Sequence, residues 1–214
     1  MSTTEAQLEA ILDLVDRQPR DHGRVLIGIA GPPGSGKSTM AEAVTAELNA
    51  RGRAADAAAL VPMDGFHLDN EDLDRRNLRA VKGAPETFDV AGFKTLVRRL
   101  RDDGREIRYP LFSRAQDRTL PDAGVLSPDR RIVIVEGNYL LFGGGDWAGL
   151  APLFDATVML APPMEVLKAR LVARWIEHGL SPEDALARAS RNDLENARRV
   201  LEQSVEADLL LTGH

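Results

Sequence analysis

The run Arg24-Val25-Leu26-Ile27-Gly28-Ile29-Ala30-Gly31-Pro32-Pro33-Gly34-Ser35-Gly36-Lys37-Ser38-Thr39 passes from an apolar, β-branched stretch into a glycine-rich loop and then into a helical pattern. Its second half satisfies G-x-x-x-x-G-K-[ST] between a predicted strand and a predicted helix, the context that gives this motif its meaning. The glycines let successive backbone N–H groups curl around a phosphate, and the helix that follows adds the positive end of its dipole. The cofactor-binding residues expected from the pattern are Gly31, Pro32, Pro33, Gly34, Ser35, Gly36, Lys37, Ser38 and Thr39. Lys37 suits β- and γ-phosphates, and the Ser38 hydroxyl suits a magnesium ion. The implied ligand is a nucleoside triphosphate with Mg²⁺.

Outward from this loop, further apolar runs recur at Ala57–Met63, Arg131–Val135, Asp155–Leu160 and Ala207–Leu211. Between them lie segments of helical spacing: Lys37–Arg51, Val90–Arg101, Met164 to about His178, and one or two helices running to about Glu206. Runs that are apolar throughout read as strands buried on both faces, and their alternation with helices predicts a parallel α/β sheet covered on both sides. Sites in such sheets lie beyond the carboxyl ends of the strands. Gly31, Asp64 and Glu136 fall at such ends. Upstream, Leu8, Ile11, Leu12 and Val15 predict an N-terminal helix over Thr4–Arg17, broken by Pro19, Asp21 and Gly23. Two segments leave this rhythm. Residues 65–89 are polar with no sustained period and read as an ordered loop holding one short helix, and residues 106–125 read as extended pieces set apart from the main sheet.

Composition narrows the function classes. With 27 basic and 33 acidic residues, the net charge is −6, and only 5% of residues are aromatic, so no basic stripe or stacking platform suggests nucleic acid. There are no cysteines, which excludes disulfides and thiolate chemistry. His22, His178 and His214 are scattered without metal-ligand spacing. No apolar run is long enough to span a membrane, and the acidic, amphipathic N-terminus does not read as a secretory leader, so a cytoplasmic location is expected.

Two carboxylates stand out. Asp64 follows the second strand beside the phosphate loop, where phosphoryl transfer needs a group to orient and deprotonate an attacking hydroxyl; a lone Asp before Gly is otherwise a turn residue. Glu136 ends the strand run at 131–135, where an acid serves a metal directly, through water or through substrate; its alternative is a strand-terminal surface acid. Arg170 and Arg174 stand four apart on one helix and share a face that suits phosphate or, alternatively, solvent and acids such as Glu177. His67 reads as an acceptor contact or a loop cap, Arg114 and Arg118 as donors to a hydroxyl-rich ligand, and Arg191, Asn192 and Asp193 as a border for adenine. Trp147 and Trp175 read as packing residues.

Gly31–Thr39, Met63-Asp64-Gly65-Phe66-His67-Leu68-Asp69-Asn70, Lys82-Gly83-Ala84-Pro85-Glu86-Thr87-Phe88-Asp89 and Ile134-Val135-Glu136-Gly137-Asn138-Tyr139 together resemble the uridine kinase and bacterial pantothenate kinase group of P-loop kinases. Within that group the chain is most similar to the nucleoside-kinase-like proteins described as fructose transport system kinases, or fructokinases. The likeness runs from about Val25 to Leu211. It implies the P-loop NTPase fold, with a parallel five-stranded sheet in the order 2-3-1-4-5, helices on both faces and a lid. Length and spacing lead us to expect one domain over 1–214 with an N-terminal helix (1–20), to which the resemblance adds acceptor-site insertions (65–89 and 106–125) and a lid region (164–195).

By the same resemblance the reaction moves the γ-phosphoryl of Mg-ATP to a hydroxyl of a small metabolite, a sugar first, with pantothenate or a nucleoside as alternatives. The catalytic set is then Asp64, Lys37, Arg170 and Arg174. Substrate contacts are Asp64, His67, Phe88, Tyr109, Arg114, Glu136 and Asn138, and the metal falls to Ser38 and Glu136. The segment Tyr109-Pro110-Leu111-Phe112-Ser113-Arg114 departs from the family's Pro-x-Tyr-Asp acceptor segment by Phe112 and Ser113, which argues against uridine. A reading from another class is an ATP-dependent regulator of a transport system. Neither a membrane nor a nucleic acid is expected as partner, and a homodimer is left open.

Overall fold

The computed structural model describes residues 2–20, 23–102 and 104–213, so His22 and His214 lie outside the described residues. In chain order the elements are α1 (Thr3–Asp16), β1 (Val25–Ala30), α2 (Lys37–Ala50), β2 (Ala58–Pro62), α3 (Asn70–Arg75), α4 (Val90–Arg99), β3 (Ile107–Ser113), β4 (Arg118–Leu126), β5 (Ile132–Gly137), β6 (Ala156–Leu160), α5 (Met164–Glu177), α6 (Pro182–Arg188), α7 (Leu194–Gln203) and β7 (Leu209–Leu211). Five parallel strands form one sheet in the order β2-β5-β1-β6-β7, which is 2-3-1-4-5 when these five alone are counted. Strands β3 and β4 form a separate antiparallel hairpin.

Alternation along each strand sorts side chains into two cores. From β1 and β5, Val25, Ile27, Ile29, Ile132 and Ile134 face α1 and α2, where Ile11, Val15, Val44 and Leu48 meet them. Leu26, Val133 and Val135 face the other way, onto Phe93 and Val97 of α4 and onto Tyr139 and Trp147. Every residue of β1, β5 and β6 is buried, as strands of a parallel sheet covered on both faces require. Each fully buried aliphatic side chain contributes about 1.5–3 kcal/mol. Phe154 closes over β1 at Gly28, where a Cβ would sit 3.1 Å from its ring.

Local chemistry sets the helix starts. Ser2 and Glu5 form a capping box on α1, with the Glu5 carboxylate accepting from the Ser2 N–H at 2.7 Å. Asp89 caps α4 by accepting from the Gly92 N–H at 2.9 Å, so the last residue of the 83–89 segment serves the helix. Ser181 caps α6. The 65–89 segment is more ordered than one short helix: α3 is joined by 3₁₀ turns at Met63–Phe66, Arg79–Val81 and Pro85–Thr87. Between α6 and α7 the chain makes a π-helical turn, Ala189–Asp193. No helix among the described residues is long and apolar enough to cross a membrane.

Candidate active site

Strands β1, β2 and β5 end side by side, and their carboxyl ends open onto a cavity of about 480 Å³. The loop after β1 forms its floor. Gly34 and Gly36 hold φ of +81° and +88°, left-handed values that favour glycine, and Gly36 is the N-cap of α2. The Ser35 N–H donates to the Pro32 carbonyl at 3.1 Å, closing the loop on itself. Pro33, Gly34, Gly36, Lys37, Ser38 and Thr39 line the cavity. Gly31, Pro32 and Ser35 are buried behind them.

Lys37 is placed by the first turn of α2. Burial pushes its ammonium pKa down, while the carboxylates of Glu136 and Asp64 pull it back up. Glu136, from the end of β5, is 5% exposed and accepts a hydrogen bond from the Ser38 hydroxyl at 3.0 Å. Burial raises its pKa, and the Lys37 charge opposes that rise. Two residues on, Asn138 lines the same cavity with its buried Oδ1 unpartnered among the described residues.

The opposite wall comes from the turn after β2 and from the hairpin. Asp64 faces the cavity, and Arg114 reaches it from beyond β3 at 3.4 Å. His67 Nδ1 lies 2.8 Å from the Asp64 carbonyl, which can only accept, so Nδ1 carries the proton. Burial lowers the His67 pKa. Its ring lies between Phe88 and Phe112, with centroids at 4.1 and 4.6 Å, and Phe112 lines the cavity while Phe88 does not.

Two of the expected substrate contacts do not line this cavity. Phe88 is 5% exposed and packs edge-on against Tyr139 and Trp147, behind His67. Tyr109 is 6% exposed, donates its hydroxyl to the Leu60 carbonyl at 3.1 Å and lies against Gly124. The alternation of β3 turns it into the core, and burial raises its phenol pKa. Both are large apolar rings, for which burial outweighs a place at a wet cavity.

The α5 arginines part company. Arg174 lines the cavity, paired with Asp193 at 3.2 Å. Arg170, expected beside the moving phosphate, instead donates to the loop carbonyls of Gly34 and Ser35 at 3.3 and 3.2 Å. It borders a second cavity of about 280 Å³, lined also by Gln7, Leu8, Pro162 and Leu211, which shares Gly36 and Thr39 with the first. Asn192 and Asp193 do not border that second cavity: Asp193 lines the first, and Asn192 is buried against the Lys82 carbonyl. Arg118 turns to Gln116 at 2.8 Å, away from the cavity.

Sequence reasoning missed Asn196 and gave Lys82, inside the quoted 82–89 motif, no role of its own. Asn196 lines the cavity. Lys82 bonds Asn70 and Asp117, each at 2.7 Å, and sits 5.0 Å over the Phe112 ring. Those bonds outweigh the burial cost at Asp117 and hold its carboxyl below the usual range. The one available signal for Asn196 was its four-residue spacing from Asn192 in an otherwise charged stretch.

The model of the phosphoribulokinase/uridine kinase family matches residues 26–211. The chain belongs to this family. A protein of Schizosaccharomyces pombe provisionally named a uridine kinase is 38% identical over 195 residues, covering 88% of this chain and 83% of its own. A solved structure from Silicibacter sp. TM1040, provisionally described as a fructose transport system kinase, superposes with a TM-score of 0.88 at 44% identity, covering 98% of each chain. The pantothenate kinase of Leifsonia xyli is 33% identical over 154 residues, 71% of this chain but only 46% of that longer protein. This family member is an ATP-dependent small-molecule kinase.

Proposed function

We propose that the chain transfers the γ-phosphoryl of Mg-ATP to a hydroxyl of a small, neutral, hydroxyl-rich metabolite, a sugar before all others. The observation that carries the reading is the opposition of Asp64 to Lys37 across one cavity. Loop amides and Lys37 hold the β- and γ-phosphates, and Asp64 accepts the proton of the acceptor hydroxyl. Arg174, held through Nη2 by Asp193, turns its remaining N–H donors to the transferring group. Such a reaction asks chiefly for position and charge.

Magnesium fits the donors present. The Ser38 hydroxyl, the Glu136 carboxylate and the unpartnered Asn138 oxygen are hard oxygen ligands on one cavity, and magnesium takes one or two carboxylates beside substrate phosphates. When bound by Ser38 and Glu136, it would neutralise charge on the β- and γ-oxygens. The nucleobase extends past Gly36 and Thr39 into the second cavity, whose walls include Leu8, Pro162 and Leu211, with Arg170 at its edge. Segments 65–89 and 106–125 wall the acceptor, and 164–195 closes over it.

The charges support a neutral acceptor. Lys37 faces Glu136 and Asp64, Arg114 pairs with Asp64, and Arg174 pairs with Asp193, so the cations lining this cavity are already matched by carboxylates. A carboxylate-bearing acceptor such as pantothenate would have to break one of these pairs. Phe112 and His67 both line the cavity beside Asp64 and give that wall aromatic surface for a sugar ring or the base of a nucleoside to lie against. The test is ADP release from Mg-ATP against sugars, nucleosides, pantothenate and glycerate, with Asp64→Ala as control. Stimulation by a sugar that is lost in the variant supports the reading; stimulation by pantothenate alone, or none by any acceptor, overturns it.

A further inference from the structure

Two polar side chains in the stretch 192–196 take no part in the chemistry just described, and both are almost fully buried. Asn192 and Asn196 are 5% and 3% exposed. They sit where the π-helical turn Ala189–Asp193 runs into α7. A π turn carries one residue more than the α register and tends to occur where a side chain must be re-aimed.

The hydrogen bonds run in one direction across the site. Asn196 Nδ2 donates to Asn192 Oδ1 at 3.1 Å, and Asn192 Nδ2 donates to the Lys82 carbonyl at 2.9 Å. The next residue, Gly83, lines the cavity with φ of +100°, and its carbonyl accepts from the Tyr139 hydroxyl at 2.6 Å. On the other side of the turn, Asp193 Oδ2 accepts from Trp175 Nε1 at 2.7 Å and from Arg174 Nη2 at 3.2 Å. Adjacent residues of one turn thus grip the acceptor-side loop and the arginine on α5.

We propose that Asn192 is a positioning residue for phosphoryl transfer: by clamping the π-helical turn to the Lys82 carbonyl, it sets the place of Asp193 and, through it, of Arg174. The inference rests on the reading of Arg174 as a phosphate contact. It makes the place of the arginine depend on the conformation of the acceptor-side loop. The two hydrogen bonds and the turn between them join the acceptor-side loop to the arginine without a break, and a double-mutant cycle reads the energy that this connection carries.

The test compares Asn192→Ala, Asp193→Asn and Arg174→Ala, singly and in pairs, for kcat, for KM of ATP and for thermal stability. Asn192→Ala is expected to lower kcat by about ten- to a hundredfold, the cost of a misplaced group, with KM for ATP changed less than about twofold because the phosphate loop is untouched. In the Arg174→Ala background the same change has no further effect on kcat. Additive losses, or a loss seen in KM alone, overturn the proposal. Asp193→Asn leaves the Lys82 clamp in place and reads the coupling from the other end: it must give the same kcat loss and the same non-additivity even if Asn192→Ala folds poorly. If no acceptor supports turnover, the transfer reading fails by itself. The cycle is then run on acceptor-free ATP hydrolysis, where Arg174 faces the same phosphate, and additivity there overturns the coupling.

Discussion

Replacing Gly65 with alanine presses one methyl group into the hinge between the Asp64 turn and the hairpin. A Cβ at Gly65 would overlap the carbonyl oxygen of Pro110, stand 2.6 Å from its carbonyl carbon and 3.2 Å from the Leu111 Cα. Carbon atoms pack at about 3.5–4.0 Å, so the two segments must part by about 1 Å. All three atoms are backbone, and no rotamer change relieves them. Overpacking of this kind costs about 1–3 kcal/mol, which in a chain of this size lowers Tm by roughly 2–4 °C for each kcal/mol. The functional cost is of similar size. The turn carries Asp64 and the hairpin leads into Arg114, so parting them moves the acceptor wall away from Lys37. A displacement of about 1 Å is worth roughly a hundredfold in rate, or about 2.7 kcal/mol of barrier. The assay is kcat/KM for the acceptor beside a thermal melt, with ATP affinity measured by calorimetry as a control. ATP affinity should hold, because the loop and α2 lie on the other wall. Wild-type Tm together with wild-type kcat/KM would refute the steric argument.

Further expectations follow from the same geometry. Asp64→Asn keeps shape and loses the proton acceptor, so transfer should fall by about 10²–10⁴ with ATP binding unchanged, as read by single-turnover kinetics and calorimetry; undiminished turnover would remove Asp64 from the chemistry. Lys37→Ala should lose both ATP affinity and turnover, and retained affinity would contradict its place on the phosphates. Tyr109→Phe should cost about 0.5–1.5 kcal/mol in denaturant unfolding, through loss of its bond to Leu60, while kcat/KM stays within about twofold. Burial lowers the His67 pKa below its ordinary 6.5, so the unfolded chain takes up the proton first as the pH falls. The stability contributed by the neutral ring is present above about pH 6.5 and is lost as the pH drops from there toward the lowered folded value. Unfolding curves at pH 7.5 and 5.5 should therefore diverge less for His67→Gln than for the natural chain, and equal divergence would count against the assignment.

The phosphate loop, the five parallel strands and the helices between them were legible because each is written locally. Glycines at Gly34 and Gly36 answer to their own positive φ, uniform apolar runs answer to burial on both faces, and Ser181 answers to an unfilled helix N-terminus. Asp64 and Glu136 were legible one step further on, because strand ends in such a sheet converge. The four-residue spacing of Arg170 and Arg174 correctly put them on one face of α5, yet it could not say that one would reach the loop carbonyls and the other the cavity. Phe88 and Tyr109, expected to face an acceptor, are turned into the core.

Those outcomes divide along a physical line. Backbone conformation, helix ends and strand burial depend on neighbours a few residues away, and the chain carries them in its order of residues. The direction of a ring in the hairpin, the pairing of Arg174 with Asp193 across α5 and the π-helical turn, and the clamp of Asn192 on Lys82 depend on partners as far as 110 residues distant. Only the packed fold brings such partners to hydrogen-bond distance, and there the balance between burying a ring and leaving a polar group unpaired selects which side chains face the cavity.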